Sequence, residues 1–582
     1  MALRDWASEF VEPARRLALS LPPTSAMRIS QRWFRPAVHQ RKYVTAPTTS
    51  RPVYRLYVLG LLTLVYAFNF IDRQIVTILA PYIKADLGLS DAQIGMLFGT
   101  AFALFYALFG LPLAKLADGW HRVGTLSIGL ALWSALTAVS AFATGFGQLG
   151  LARVGVGIGE ASAAPAAFSI IQDYFGRRRR ATALAIYSSG IYLGAGASVM
   201  AGGSIVAAWD ATYAHGVAPF GLAGWQAAYL SAGLPGLALT VLVLFTIREP
   251  VRGAMEGHAQ SPHSRPFRAA ASELETLIPP FSLLALRRAG AERATIRRNL
   301  QLLAACAIGT IVLVAVTDAL LAPAKRAVIG SVFGYGLTTN MVQWFAVSVG
   351  VYATGSWMQA VRLRDPVAAK LTLGTPSFVA AAVAGGLISL SSYGLAAFLF
   401  LFGTMHHGLT AVDGVKLGAI AAVAGGLGTL LGGILSDAAR RLHPAGRLHV
   451  ASLAALLSAL SSVWQYTTPS LASFYAANFV GTFFLTMWLA PVAATCQDQV
   501  LPRMRGTATA LQFLATNLIG LGLGPYLVGL ISDITGDLRT AMLSVLLLTP
   551  IVILLLQYAA RHLKTAEATM IVRAAEAVSG SK

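Results

Sequence analysis

The sequence predicts an all-α polytopic membrane protein of fourteen spanning helices, arranged as two six-helix bundles plus an inserted transmembrane pair. Of its 582 residues, 56% are hydrophobic and only 12% charged, with a mean hydropathy of +0.65, whereas soluble domains carry about a quarter charged residues. Uncharged runs at 92–114, 123–152, 181–209, 506–532 and 540–560 exceed or match the roughly 20 residues a helix needs to cross about 30 Å of hydrocarbon. Positive charge collects on alternate junctions, as it does on cytoplasmic loops.

In chain order, residues 1–53 are expected to form a cytoplasmic N-terminal tail. They hold no apolar run of signal-peptide length, and Asp5, Glu9 and Glu12 argue against an organellar transit peptide. Spans near 54–82, 91–117, 122–143, 147–171, 181–207 and 225–247 make an N-terminal bundle, 54–248. The Arg-rich, Pro-containing stretch 249–299 reads as a cytoplasmic linker with amphipathic portions. Spans near 300–321 and 327–352 make an inserted hairpin, 300–352, and 353–374 is a cytoplasmic connector. A C-terminal bundle, 375–560, has spans near 375–403, 414–436, 447–466, 470–496, 505–531 and 538–560, and 561–582 is a cytoplasmic tail.

An inserted pair preserves the orientation of everything after it, whereas a single extra span would invert the second bundle. Arg122, Arg177 to Arg180, Arg252 to Arg298, Arg362, Arg364, Arg440, Arg441, Arg503 and Arg505 mark one side. On the other side, 144–146 and 467–469 carry no positive charge and 208–224 carries only the acid Asp210, with Lys84, Lys325, Arg326, Lys416 and Arg539 as the few exceptions. Both termini are therefore expected in the cytoplasm of a multi-pass cell-membrane protein.

Several function classes are excluded. The formal charge of +20 sits in short clusters between apolar runs, with no basic domain to track a phosphate backbone, so nucleic acid is not an expected partner. Cys306 and Cys496 lie within spans and read as buried small residues, with no disulfide framework or CxxC site. No Gly-Lys dipeptide occurs, which removes a P-loop, and no HExxH or GxSxG motif supplies a metal or nucleophile. The expectation is a non-enzyme without metal or cofactor, acting as a monomer.

Two loops repeat one pattern. "GLPLAKLADGWHR" at 110–122 and "GTLLGGILSDAARR" at 428–441 each place a small residue four before an acid and a base four after it. These are Ala114, Asp118 and Arg122 against Gly433, Asp437 and Arg441, and an acid at one helix end with a base one turn later suits a gate that holds in one state only. The pattern resembles the gating loop of the major facilitator superfamily. Within it, "FNFIDRQIV" at 68–76, "RVGVGIGEAS" at 153–162 and "QDQVLPRMRGTATALQFLATNLIGLGLGPYLVGLISD" at 497–533 resemble spinster-type transporters. The resemblance covers 54–248 and 375–560 and implies a major facilitator fold; it does not reach 1–53 or 251–370. Ala114 for the usual Gly, and His121 where a Gly or small polar residue is usual, suggest looser packing of the first loop.

The charged residues inside spans are the candidate site. Each costs at least about 2.5 to 3.5 kcal/mol to insert, so it turns to a partner in the bundle interior. Asp72 lies about 18 residues into the first span and Arg153 about six into the fourth, which puts both at similar depth. The resemblance places these helices around a central cavity, where Asp72 is expected to pair with Arg153. Glu160, two turns deeper, falls near the midplane. Glu160 and Asp72 are the expected proton carriers, with Arg153 neutralising Asp72 or receiving an anionic head group. The alternative is that Asp72 and Arg73 cap the helix end, with Arg73 snorkelling to the interface. Tyr187 is a substrate contact or a packing aromatic, Gln497 and Asp498 belong with the second gate, and Asp318 faces water or headgroups.

The resulting expectation is a proton-coupled secondary active transporter working by alternating access. The resemblance implies an amphiphilic substrate such as a lysolipid or sphingoid phosphate. A proton symporter of small aromatic or sugar acids is the alternative, and a non-transporting receptor or scaffold is the alternative of another class. The expected partners are the small-molecule or lipid substrate, protons and the bilayer.

Overall fold

The computed structural model describes residues 52–214, 216–252, 265–332, 335–501 and 504–579. All but the last two residues of the expected N-terminal tail, and Arg503, lie outside them. Six long helices come first: α1 Pro52–Leu87, α2 Asp91–Gly119, α3 Arg122–Ser140, α4 Phe146–Tyr174, α5 Arg177–Thr212 and α6 Gly224–Thr246. The inserted pair is α7 Arg293–Leu320 and α8 Thr339–Arg364. Six more follow: α9 Pro376–His407, α10 Gly414–Leu442, α11 Gly446–Thr467, α12 Leu471–Asp498, α13 Arg505–Thr535 and α14 Leu538–Ala568. The fold is an all-α membrane fold whose apolar faces are buried between helices or left for lipid.

Thirteen of these helices are long and apolar enough to cross a membrane. The fourteenth expected span, α8, is not among them, because it carries Asn340, Gln343, Ser356 and Gln359 along its length. Those side chains turn toward protein: Asn340, Gln343 and Ser356 are all buried. The helix also begins at Thr339, not near 327. The Gly-punctuated, β-branched stretch before it forms a ribbon of β1, Val328–Val332, and β2, Tyr335–Thr338, paired antiparallel. Short helices at Pro266–Glu275 and Phe281–Arg288 occupy the linker. The C-terminal segment is helical well past 560, through α14 and Met570–Ser579.

The end of the molecule carrying Arg122, Arg440 and Arg447 is the basic side; the opposite end is the far side. The halves meet along two glycine-lined seams. Between α5 and α10, a Cβ on Gly196 would lie 2.7 Å from the Gly418 carbonyl oxygen. Between α2 and α13, a Cβ on Gly95 would lie 2.2 Å from the Pro525 carbonyl oxygen. Only glycine permits such backbone approach. At the far end of the second seam, the Asp533 carboxylate accepts hydrogen bonds from the amides of Asp91 (3.3 Å) and Ala92 (2.8 Å). It thereby caps the N-terminus of α2 from the opposite half. The two halves are tied together at the far end of this seam.

α8 lies along this α2–α13 seam and touches both sides of it. Gln343 Nε2 donates to Thr100 Oγ1 of α2 (2.6 Å), and Tyr526 Oη of α13 donates to Asn340 Oδ1 (2.5 Å). Gly350 abuts Leu104 and Leu518. Asp318 of α7 accepts from Asn340 Nδ2 at 2.6 Å, so it faces α8 and not headgroups. Lys325, in the turn between α7 and the ribbon, reaches to 3.7 Å from Asp533.

Candidate functional site

A cavity of about 360 Å³ lies between the two halves. Arg73 is the one charged side chain among the described residues that line it. The expectation that Arg73 snorkels to the interface does not hold. It is 4% exposed, with its guanidinium among the rings of Phe70, Phe102 and Tyr106 at 4.6 to 4.8 Å from their centroids. These faces are attractive to a desolvated cation. Its Nη2 and Nε donate to Glu160 Oε2 at 2.9 and 3.3 Å.

Glu160 is 1% exposed and stands where α4 breaks between its segments Phe146–Glu160 and Ala163–Tyr174. Asn69, one turn before Arg73 on α1, stands beside it. Glu160 is thus set directly behind the cavity's cation.

Asp72 points from the neighbouring face of α1 into the first bundle. It is fully buried, beside Arg153 and the Thr137 hydroxyl of α3, with neither carboxylate oxygen in a well-formed hydrogen bond. The expected pairing with Arg153 takes a different form. Arg153 Nη1 donates to the backbone carbonyl of Asp72 (2.9 Å), and its Nε to that of Leu97 (3.4 Å). It fastens α4 to α1 and α2 and does not line the cavity. Tyr187, also buried, stacks on Tyr66 with centroids 4.4 Å apart and planes 8° apart. Tyr66 lines the cavity; Tyr187 backs it.

On the basic side, the expected contacts of Asp118 with Arg122 and of Asp437 with Arg441 are replaced by others. Arg122, in the first turn of α3, is buried and donates to Asp173 at the end of α4 and to Glu249 beyond α6. Asp118 is exposed, with Arg252 and Lys115 beside it. In the second half the base is Arg447, in the first turn of α11, which joins Asp437 (2.7 Å) to Asp498 (2.5 Å). Arg441 is exposed. Arg447 is therefore the structural counterpart of Arg122, and Asp498 of Asp173. Gln497 donates to Thr509 across α12 and α13 (3.0 Å). His121 caps α3, accepting from the Gly124 amide at 2.9 Å, so its presence tightens the loop.

Sequence reasoning missed the second-half wall of the cavity, where Gln465, Asn478 and Asn517 face Arg73's half. Their only signal was being carboxamides inside apolar runs. No group of three metal-ligating side chains gathers among the described residues.

Residues 62–525 match the Major Facilitator Superfamily. The chain belongs to that superfamily. Within it the chain is spinster-like. It is 26% identical over 484 residues to Protein spinster homolog 1 of Homo sapiens, covering 82% of this chain and 72% of that one. It is 27% identical over 490 residues to an MFS-type efflux pump of Mycolicibacterium smegmatis, covering 82% and 85%. Among solved structures, a bacterial homolog of the human lysosomal transporter Spinster, inward-facing and unoccupied, matches with a TM-score of 0.64 and 25% identity, over 89% of this chain and 99% of that one. This spinster-like chain is a multi-pass membrane transporter.

Proposed function

We propose that this spinster-like transporter is a proton-coupled secondary active transporter of an anionic or amphiphilic small molecule, lysolipid-like in the leading reading, working by alternating access. The observation that carries the proposal is the sharing of Arg73 between the cavity it lines and the Glu160 carboxylate behind it. An anion in the cavity and the Glu160 carboxylate compete for one guanidinium. Protonating Glu160 ends its hold, and the donors of Arg73 turn to a carboxylate or phosphate in the cavity. Loss of that proton draws Arg73 back and expels the anion. Proton and anion thus favour each other's binding, and by linkage they travel in the same direction.

Asp72, beside Arg153 on the other face of α1, is the second proton carrier. An acid held by an Arg and one merely beside an Arg titrate differently, which lets one proton pass in turn between them. The clusters around Arg122 and Arg447 hold the basic-side helix ends of each half as rigid units during rocking. The basic side is cytoplasmic in this reading, with both termini there, in the cell membrane, and the working unit is the monomer.

The second reading, a symporter of small organic acids, is favoured by the cavity's modest 360 Å³. The test is proton flux in proteoliposomes under an imposed pH gradient, with lysolipids, sugar acids and aromatic acids as candidates. Anion-dependent proton movement is expected, and Glu160→Gln should uncouple it. Intact proton-driven uptake in both Glu160→Gln and Asp72→Asn would overturn the coupling scheme.

A further inference from the structure

The two walls of the cavity differ in chemistry. The first half contributes the Arg73 cation and aromatic rings, whereas the second contributes carboxamides and hydroxyls: Gln465, Asn478 and Asn517, with Ser462, Thr486 and Thr516. A carboxamide inside a spanning bundle is costly unless its hydrogen bonds are met. Gln465 is 3% exposed and its Nε2 has no hydrogen-bond partner among the described residues. Asn517 uses its Nδ2 on the Phe513 carbonyl (2.8 Å), which leaves its oxygen to accept.

The hydroxyls are oriented as well. Ser462 donates to the Ser458 carbonyl (2.9 Å), Thr516 to that of Phe513 (3.0 Å) and Thr486 to that of Gly425 (3.0 Å). Each proton is directed at the backbone, so each oxygen meets the cavity as an acceptor. The free Gln465 Nε2 donor beside the Asn517 and hydroxyl acceptors complements a group that donates and accepts at closely spaced positions, which is what hydroxyls on neighbouring carbons do. An ammonium group would meet acceptor oxygens here but no counter-charge. No carboxylate lines the cavity among the described residues, and the Phe70 and Tyr106 faces already hold the Arg73 guanidinium.

The geometry points to a polyhydroxylated anion as the substrate, with its acid group at Arg73 and its hydroxyls on the Gln465, Asn478 and Asn517 wall. This inference rests on Arg73 being the anion receptor. The same chemistry comes from two sources, a free sugar acid or the polyol-phosphate head of a single-chain lipid.

The test is equilibrium binding to the purified full-length protein in nanodiscs. The probes are gluconate and galacturonate against hexanoate, and lysophosphatidylinositol and lysophosphatidylglycerol against lysophosphatidic acid and lysophosphatidylcholine. Probes with a polyol group should bind about tenfold or more tightly than their counterparts without one, as expected where buried polar groups go unpaired with the wrong ligand. Tight binding of the sugar acids identifies the free source, and of the two polyol lipids alone the lipid source. Gln465→Leu should shrink the preference, weakening the polyol probes by a larger factor than hexanoate and lysophosphatidic acid. The probe series on the unaltered protein decides the matter even if that variant fails to fold. Equal affinities within each series, with Arg73→Gln still abolishing binding, would overturn the polyol assignment and leave the anion reading standing. Binding indifferent to Arg73→Gln would overturn both.

Discussion

The two six-helix bundles share a scaffold but are loaded differently. Both anchor their basic-side helix ends with an Arg in the first turn of the third helix, Arg122 or Arg447, bound to an acid at the end of the fourth, Asp173 or Asp498. Around the cavity the likeness stops. The first bundle buries Asp72, Arg73, Arg153 and Glu160, and the second buries Gln465, Asn478 and Asn517. The difference teaches where charge can be kept in a protein whose halves must part in the proposed alternating-access cycle. An ion pair shared across the cavity would be broken in every cycle, with each charge left in a medium that penalises it heavily. Arg73–Glu160 joins α1 to α4 and moves inside one rigid half. Neutral carboxamides pay far less for being unpaired, so they suit the opposite wall.

That contrast can be broken most forcefully at Arg73. Arg73→Leu leaves Glu160 buried without its cation, and the expected loss is about 3 to 5 kcal/mol of stability, read as a fall in unfolding temperature in detergent. The pair replacement Arg73→Leu with Glu160→Gln should recover most of that stability without recovering proton-driven transport. A comparable loss from Gln465→Leu alone would end the distinction between the halves.

A smaller effect sharpens the likeness of the two anchors. The Arg122 side chain is 1% exposed and meets two acids, so Arg122→Ala should cost about 3 kcal/mol. Arg447 is 18% exposed and one of its partners, Asp437, is 64% exposed, so Arg447→Ala should cost about 1 kcal/mol or less. Denaturant or thermal unfolding of the two variants side by side gives the ranking. The smallest effect is expected at Lys325→Ala, since that side chain is 51% exposed and 3.7 Å from Asp533. A stability change beyond about 1 kcal/mol there would mean that the insert clamps the far side more firmly than an exposed ion pair can.

The bundles were legible in the sequence because hydrophobic length and the alternation of positive charge are one-dimensional signals. The start of α8 was not, because the apolar, Gly-rich run at 328–338 satisfies hydropathy equally as ribbon or helix. Asp72, Arg153 and Glu160 stood out as charges in apolar runs. The direction of Arg73 did not, since neighbouring helical residues diverge by about 100° and only packing shows which one meets the cavity. The matched loops misled in a similar way. α2 ends at Gly119 and α3 starts at Arg122, but α10 runs to Leu442 before α11 starts at Gly446. The equivalent base therefore falls six residues beyond Arg441, at Arg447, a shift that equal spacing conceals.

The placement of α8 also makes the transporter lopsided toward its bilayer. One flank, where α2 meets α13, is shuttered by α8, with α7 beyond it so lightly covered that only 6% of its apolar window is buried. The other flank, where α5 meets α10, has no such shutter among the described residues. That flank is closed by the α5–α10 contact alone, through the Gly196–Gly418 approach and the Tyr192–Thr429 hydrogen bond, so parting these two helices is enough to open it to the side.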